Sequence, residues 1–258
     1  MLKLRVLTVA VLLPAFTACA FFLPAAWWGA LLFAATLLAA REWSQLAGFD
    51  HITSAVFYLC VSLGCALALV RGDLDTPLFA ASVFFWILAV PLVLWRKPSL
   101  RNTGIGMVAG FLLLVPMWLA ALRLQADPAL MLGLLAVVWI SDSAAYGAGH
   151  ALGRHKLAPA ISPGKTWEGV GGAFAAVAVY AAIFHFWWYP ATDFQYVLAA
   201  FFAITVLGIL GDLFESLLKR SAGVKDSGTL LPGHGGVLDR IDALTAALPL
   251  AALLFGKS

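Results

Sequence analysis

Charge is what this sequence has least of. Only 11% of its 258 residues are Asp, Glu, Lys or Arg, while 63% are hydrophobic and the mean hydropathy is +0.96; a soluble domain carries about 25% charged residues. Water cannot be the main solvent of such a surface, so an integral membrane protein is expected. Long polar segments are also missing: each is about 30 residues or shorter, which leaves no room for a separate soluble domain. Cysteine is scarce, and Cys19, Cys60 and Cys65 lie inside apolar runs, without metal-ligand spacing or a secreted disulfide pattern. They read as small packing residues. No nucleic-acid partner is expected.

What the chain does have is a succession of apolar stretches. A helical span needs roughly 17–25 mainly apolar residues, and about nine stretches qualify: Leu4 to Leu23, Ala26 to Leu46, Ile52 to Val70, Leu78 to Trp95, Gly104 to Leu122, Ala129 to Gly147, Val170 to Tyr189, Phe194 to Gly211 and Leu238 to Gly256. Lys3 and Arg5 precede an apolar run in the manner of a signal peptide. That run continues to Leu23, and Phe16-Thr17 suits a lipoprotein site poorly, so a first span is expected. With nine spans, 13 of the 16 Lys and Arg fall on one side, which makes that side cytoplasmic and the N-terminus with it. Trp27-Trp28 and Trp187-Trp188-Tyr189 then mark the outer headgroup belt. The fold class expected is an all-α membrane protein. Residues 1–125 form about five N-terminal helices, and residues 126–258 form a catalytic region with a polar cavity at the cytoplasmic face.

The scarce charges are gathered in two segments on that face, about 142–169 and 212–242. The last apolar stretch, Ala243 to Phe255, is too short to cross a core about 30 Å thick at about 1.5 Å per residue. The helix must therefore take in Asp239 and Asp242, which lie three apart on one face. Asp142 and Asp212 fall at the expected ends of the sixth and eighth helices, with Glu215 one turn on, where negative helix dipoles would add to their charge. Ionisable groups at such depth usually face a cavity or an ion. Asp212, Asp239 and Asp242 together point to a hard-cation site, Mg²⁺ completed by phosphate and water; each alone would read as a cap or an ion pair, for example Asp212 with Lys219. Around them lie Lys219, Arg220, Lys225 and Arg240 and the run Pro232-Gly233-His234-Gly235-Gly236, which can form an anion-binding nest. Lys225 alone could equally belong to a solvated basic loop. Acids and cations intermixed are what phosphoryl or nucleotidyl transfer needs. Ser162-Pro163-Gly164-Lys165-Thr166 looks like the end of a P-loop, but Pro159 stands where its first glycine belongs and no buried strand precedes it. Lys165 remains either a phosphate contact or part of a turn. His150, His155 and His185 show no ligand spacing.

From Ser216 to Asp242 the residues Ser216, Lys219-Arg220, Lys225-Asp226, Gly228, Leu231-Pro232, His234-Gly235-Gly236, Asp239-Arg240 and Asp242 follow one another in a pattern that resembles the signature of the phosphatidate cytidylyltransferases. The resemblance extends to Asp142-Ser143 with Tyr146, to Ser162 through Gly169 and to Gly211 through Ser216. It departs at Ala144, where many relatives carry Gly, and is weak over the first hundred residues, where only Arg41-Glu42-Trp43 is familiar. The resemblance implies CTP and phosphatidic acid as substrates, CDP-diacylglycerol and pyrophosphate as products, Mg²⁺ with a monovalent cation such as K⁺, a homodimer among membrane lipids, and residence in the bacterial inner membrane. It implies Asp212 and Asp239 as metal ligands, and Lys165, Lys219, Arg220 and Lys225 as catalytic phosphate contacts. Asp142, Ser162, Glu215, Asp226, His234, Gly235, Gly236, Arg240 and Asp242 are read as substrate contacts. Rival readings are a CTP-dependent enzyme for another lipid phosphate or a lipid alcohol, and an ion-coupled transporter. The spaced Asp pattern of CDP-alcohol phosphotransferases is absent.

Overall fold

The computed structural model describes residues 2–96, 103–230 and 235–256. Among the described residues there are nine helical runs: α1 (Leu2–Phe22), α2 (Ala25–Ala47), α3 (His51–Val70), α4 (Gly72–Arg96), α5 (Thr103–Leu124), α6 (Pro128–Leu152), α7 (Trp167–Trp188), α8 (Phe194–Ser221) and α9 (Leu238–Phe255). Six of them, α3 to α8, are long and apolar enough to cross a membrane. Arg41 and Glu42 in α2, and Asp239, Arg240 and Asp242 in α9, put polar groups inside the other helices.

The all-α class stands, with one local addition: Lys156–Ala158 (β1) and Ser162–Thr166 (β2) form an antiparallel hairpin between α6 and α7. One expectation needs correction. The helices before Asp142 and Asp212 do not end there, since α6 runs on to Leu152 and α8 to Ser221. In α8 the reason is that Leu213, Phe214, Leu217 and Leu218 keep a buried face at helical spacing while Glu215 pairs with Lys219 one turn later. A helix dipole acts within the last turn, so it contributes nothing at either aspartate.

Helix starts follow local chemistry. Asp50, Asp127, Thr166 and Asp193 each accept a hydrogen bond from a first-turn N–H of α3, α6, α7 and α8, at 2.7 to 3.1 Å. At α9 the N-cap position is Val237, which supplies no side-chain oxygen.

In an apolar bundle a freed backbone carbonyl must find a donor. Pro116 in α5 and Pro249 in α9 lack the N–H that would bond the carbonyls of Leu112 and Thr245 four residues earlier. Helix α4 supplies both replacements: Ser82 Oγ donates to Leu112 O at 2.9 Å and Trp86 Nε1 to Thr245 O at 3.2 Å. Trp86 sits in a π-helical turn, Phe85–Ala89, just before Pro91, whose missing N–H removes the α-helical bond to the carbonyl of Ile87 and loosens the register there. Trp28, expected in the outer belt, is instead buried, its indole donating to Ala121 O, whereas Trp187 and Trp188 are exposed. Phe214 of α8 closes this core beneath the polar region, in ring contact with Trp43 of α2 and with Phe85 and Trp86 of α4.

Candidate active site

The site begins at a glycine. A Cβ at Gly211 would lie 2.6 Å from the carbonyl oxygen of Asp242 and 3.1 Å from Ala243 Cα. Only a residue without a side chain lets α8 rest its backbone directly on α9. This contact brings Asp212 and Asp242 together. Helices α6 and α7 with the hairpin form the opposite wall, and between the two walls lies a polar cavity of about 870 Å³.

Eleven residues singled out in the sequence line this cavity: Asp142, Ser162, Lys165, Asp212, Lys219, Arg220, Lys225, Asp226, Asp239, Arg240 and Asp242. On one side, Lys165 from β2 reaches across to Asp212, with Nζ 2.5 Å from Oδ2, and Ser216 Oγ lies 3.3 Å from Oδ1. Asp142 and Asp242 lie close enough to Asp212 to feel its charge. Among the described residues Lys165 is thus the one cation paired in this corner, against three carboxylates. The hairpin that carries Lys165 is anchored at its base, where Trp167 N donates to His155 O at 2.9 Å and Glu168 pairs with His155 at 2.6 Å.

On the other side, Lys219 Nζ bonds both Glu215 Oε2, at 2.7 Å, and Asp239 Oδ1, at 2.5 Å. Asp239 Oδ2 accepts from Ser227 N and Oγ, each at 2.9 Å, and from Gly236 N at 2.8 Å. Gly235 and Gly236 do not line the cavity; they serve Asp239 from behind. Gly235 has φ +81°, and a Cβ there would run into the Asp239 carboxylate. Glu215 is also behind the wall, buried, with Oε1 lacking any hydrogen-bond partner among the described residues. His234 lies outside the described residues.

The donors facing the cavity are hard oxygens, which suits a divalent cation such as Mg²⁺. Among the described residues no three His, Cys, Asp or Glu side chains form a ready-made metal cage. Mg²⁺ in nucleotide enzymes commonly needs only one or two carboxylates, the rest of its shell being phosphate and water. Asp212, with Asp142 and Asp242 at hand, and Asp239 Oδ1 meet that requirement.

Sequence reasoning left three neighbours without a role. Tyr146 and His150, one turn apart on α6 and stacked at 6.1 Å, both line the cavity. Glu42 of α2 is only 7% exposed and lies against Ser227, Gly228 and Gly236. Its one sequence trace is a charged pair, Arg41-Glu42, inside an apolar stretch. A smaller apolar groove of about 420 Å³ adjoins the cavity through Leu157, between Leu94 and Trp95 of α4, the hairpin turn and Leu213.

Comparison with known proteins agrees with the motif. A phosphatidate cytidylyltransferase of Pseudomonas aeruginosa is 38% identical over 98% of this chain and 97% of its own length. One of Haemophilus influenzae is 37% identical over 99% of both. A third, of Brucella suis, is 53% identical over 47% of this chain and 44% of the relative. A model of the cytidylyltransferase family matches residues 3–256. Matched almost from end to end, and with full-length relatives above a third identical, the chain belongs to the cytidylyltransferase family.

Proposed function

We infer that this protein transfers the cytidylyl group of CTP to phosphatidic acid, forming CDP-diacylglycerol and releasing pyrophosphate. The observation that carries this is the convergence of Asp142, Asp212, Asp239 and Asp242 with Lys165, Lys219, Arg220 and Lys225 on one cavity, in a chain whose full-length relatives bear that name. The phosphate of phosphatidic acid is already anionic near neutral pH, so its oxygen attacks the α-phosphorus of CTP without a strong general base. One P–O bond forms and the bond to pyrophosphate breaks. The barrier is repulsion between anions.

Asp212 and Asp239 would hold Mg²⁺, which would supply charge neutralisation for the triphosphate and the leaving pyrophosphate. Lys165, Lys219, Arg220 and Lys225 bind the remaining phosphate oxygens and hold the reactants in line. To do so Lys165 exchanges its carboxylate partner, Asp212, for phosphate. Glu215, with an unpartnered buried oxygen near the charge of Asp242, is the available ligand for a monovalent cation. Asp142, Ser162, Asp226 and Arg240 complete the substrate contacts from the cavity wall, while Gly235 and Gly236 act through Asp239.

Nine spans with the N-terminus and the cavity on the cytoplasmic side fit the excess of Lys and Arg there. On the other side Arg71 and Arg123 are each paired with an acid, Asp73 and Asp75. Bacterial relatives favour the inner membrane, and the family resemblance favours a homodimer. The test is detergent-solubilised protein with cytidine-labelled CTP, Mg²⁺ and phosphatidic acid. Label should enter the lipid phase as a CDP-lipid. Release of free CDP with a phosphorylated lipid would indicate a lipid kinase instead, and nucleotide-independent ion flux in liposomes a transporter.

A further inference from the structure

Glu42 is far from the signature in sequence and lies at its centre in space. Its Oε1 accepts a hydrogen bond from Val237 N at 3.0 Å, and its Oε2 accepts from Leu238 N at 2.7 Å and from Ser227 Oγ at 3.0 Å. The first two donors are orphan N–H groups at the start of α9, the helix that has no side-chain cap of its own. A carboxylate from α2 is therefore the cap of α9, across 196 residues of sequence, and the positive end of that helix favours its charge. The loop closes tightly on it: a Cβ at Gly228 would lie 2.6 Å from Glu42 Oε1, and one at Gly236 would overlap Oε2.

Ser227 Oγ stands between two carboxylates, 3.0 Å from Glu42 Oε2 and 2.9 Å from Asp239 Oδ2. Gly236, whose N–H also holds Asp239, is pressed between them. Among the described residues Glu42 makes no ion pair. Its charge is spent on three donors, two at the start of the helix whose first turn carries Asp239 and one on Ser227, the residue that grips Asp239.

We propose that Glu42 is a positioning residue for cytidylyl transfer, fixing Ser227 and the first turn of α9 and through them the orientation of the Asp239 carboxylate. This rests on the transfer reaction proposed above. Amide substitution at Glu42 retains one acceptor but turns an N–H toward a backbone donor or Ser227, so one end of the clamp opens. Glu42→Gln should lower kcat about 10- to 100-fold, the range typical of residues behind a metal ligand, while KM for CTP stays within about twofold of the parent. Ser227→Ala, which removes the bridging hydroxyl and leaves the cap, should lower kcat in the same direction. The double variant should be no slower than the slower single one, because both break a single linkage. An unchanged kcat in folded Glu42→Gln, or strictly multiplicative losses in the double variant, overturns the proposal. If Glu42→Gln cannot be purified folded, Ser227→Ala decides alone: full kcat there overturns it. Hydrogen exchange provides a readout independent of substrate. Amides of Gly236 to Leu238 should exchange faster in Glu42→Gln while those of α8 do not, and equal protection in both proteins counts against the clamp. Absence of CDP-lipid from the parent protein, with that exchange difference intact, would sink the reaction and leave the clamp standing.

Discussion

On the Lys165 side of the cavity the paired lysine and aspartate keep 25% and 34% of their side-chain surface exposed, whereas on the Lys219 side Glu215 and Asp239 keep 5% each. Asp212 is held by a lysine and one serine; Asp239 is held by four donors on three residues. A partly exposed ion pair contributes little to stability and exchanges readily. A buried, fully bonded carboxylate cannot be altered without stranding its donors. The open side is therefore suited to trading partners when nucleotide arrives, and the closed side to holding a fixed reference against which the trade occurs.

The sharpest way to break this comparison is to neutralise each acid in turn. Asp239→Asn should abolish turnover and also lower folded stability by about 3 kcal/mol, because the new N–H groups face donors; activity and thermal unfolding in the same detergent would read both. Asp212→Asn should cost about 10²–10³-fold in kcat/KM at saturating Mg²⁺ with an unfolding midpoint close to that of the parent. Equal stability loss in the two variants would erase the distinction between the sides. Lys165→Ala should raise KM for CTP about tenfold, or about 1.4 kcal/mol, with the fold intact. A CTP dependence identical to the parent would reduce Lys165 to part of the hairpin. Smallest, and away from both sides, Trp86→Phe should cost about 1 kcal/mol of stability by leaving Thr245 O without its donor, with KM for CTP unchanged. A change in that KM would show that the core beneath the cavity is not neutral support.

The inclusion of Asp239 and Asp242 in the last helix was legible because thirteen apolar residues are too few to span, a constraint written in one stretch of sequence. The meeting of acids and lysines was legible for the same kind of reason, charge concentrated where the chain otherwise has none. The continuation of α8 past Asp212 was hidden, since Glu215, Ser216, Lys219 and Arg220 look like loop residues by hydropathy while pairing at helical spacing. The hairpin was hidden because β1 and β2 hold three and five residues, too few to show an alternating pattern. Glu42 stood out only as part of a charged pair in an apolar stretch, and nothing local told what it binds. Its contacts with Val237 and Leu238 span 195 and 196 residues, and no periodicity reaches that far.

The two carbonyls that α4 receives from α5 and α9 carry a lesson about biosynthesis. Ser82 and Trp86 are translated before Leu112 and long before Thr245, so each proline-bearing helix enters the bundle with its replacement donor already waiting. A chain truncated ahead of α9 would hold an indole N–H with nothing to bind. A separately expressed α9 would hold a bare carbonyl in lipid. The complementary gaps give the last helix a defined berth, and make arrival of the final segment, which also carries Asp239 and Asp242, the step that completes both the bundle and its chemistry.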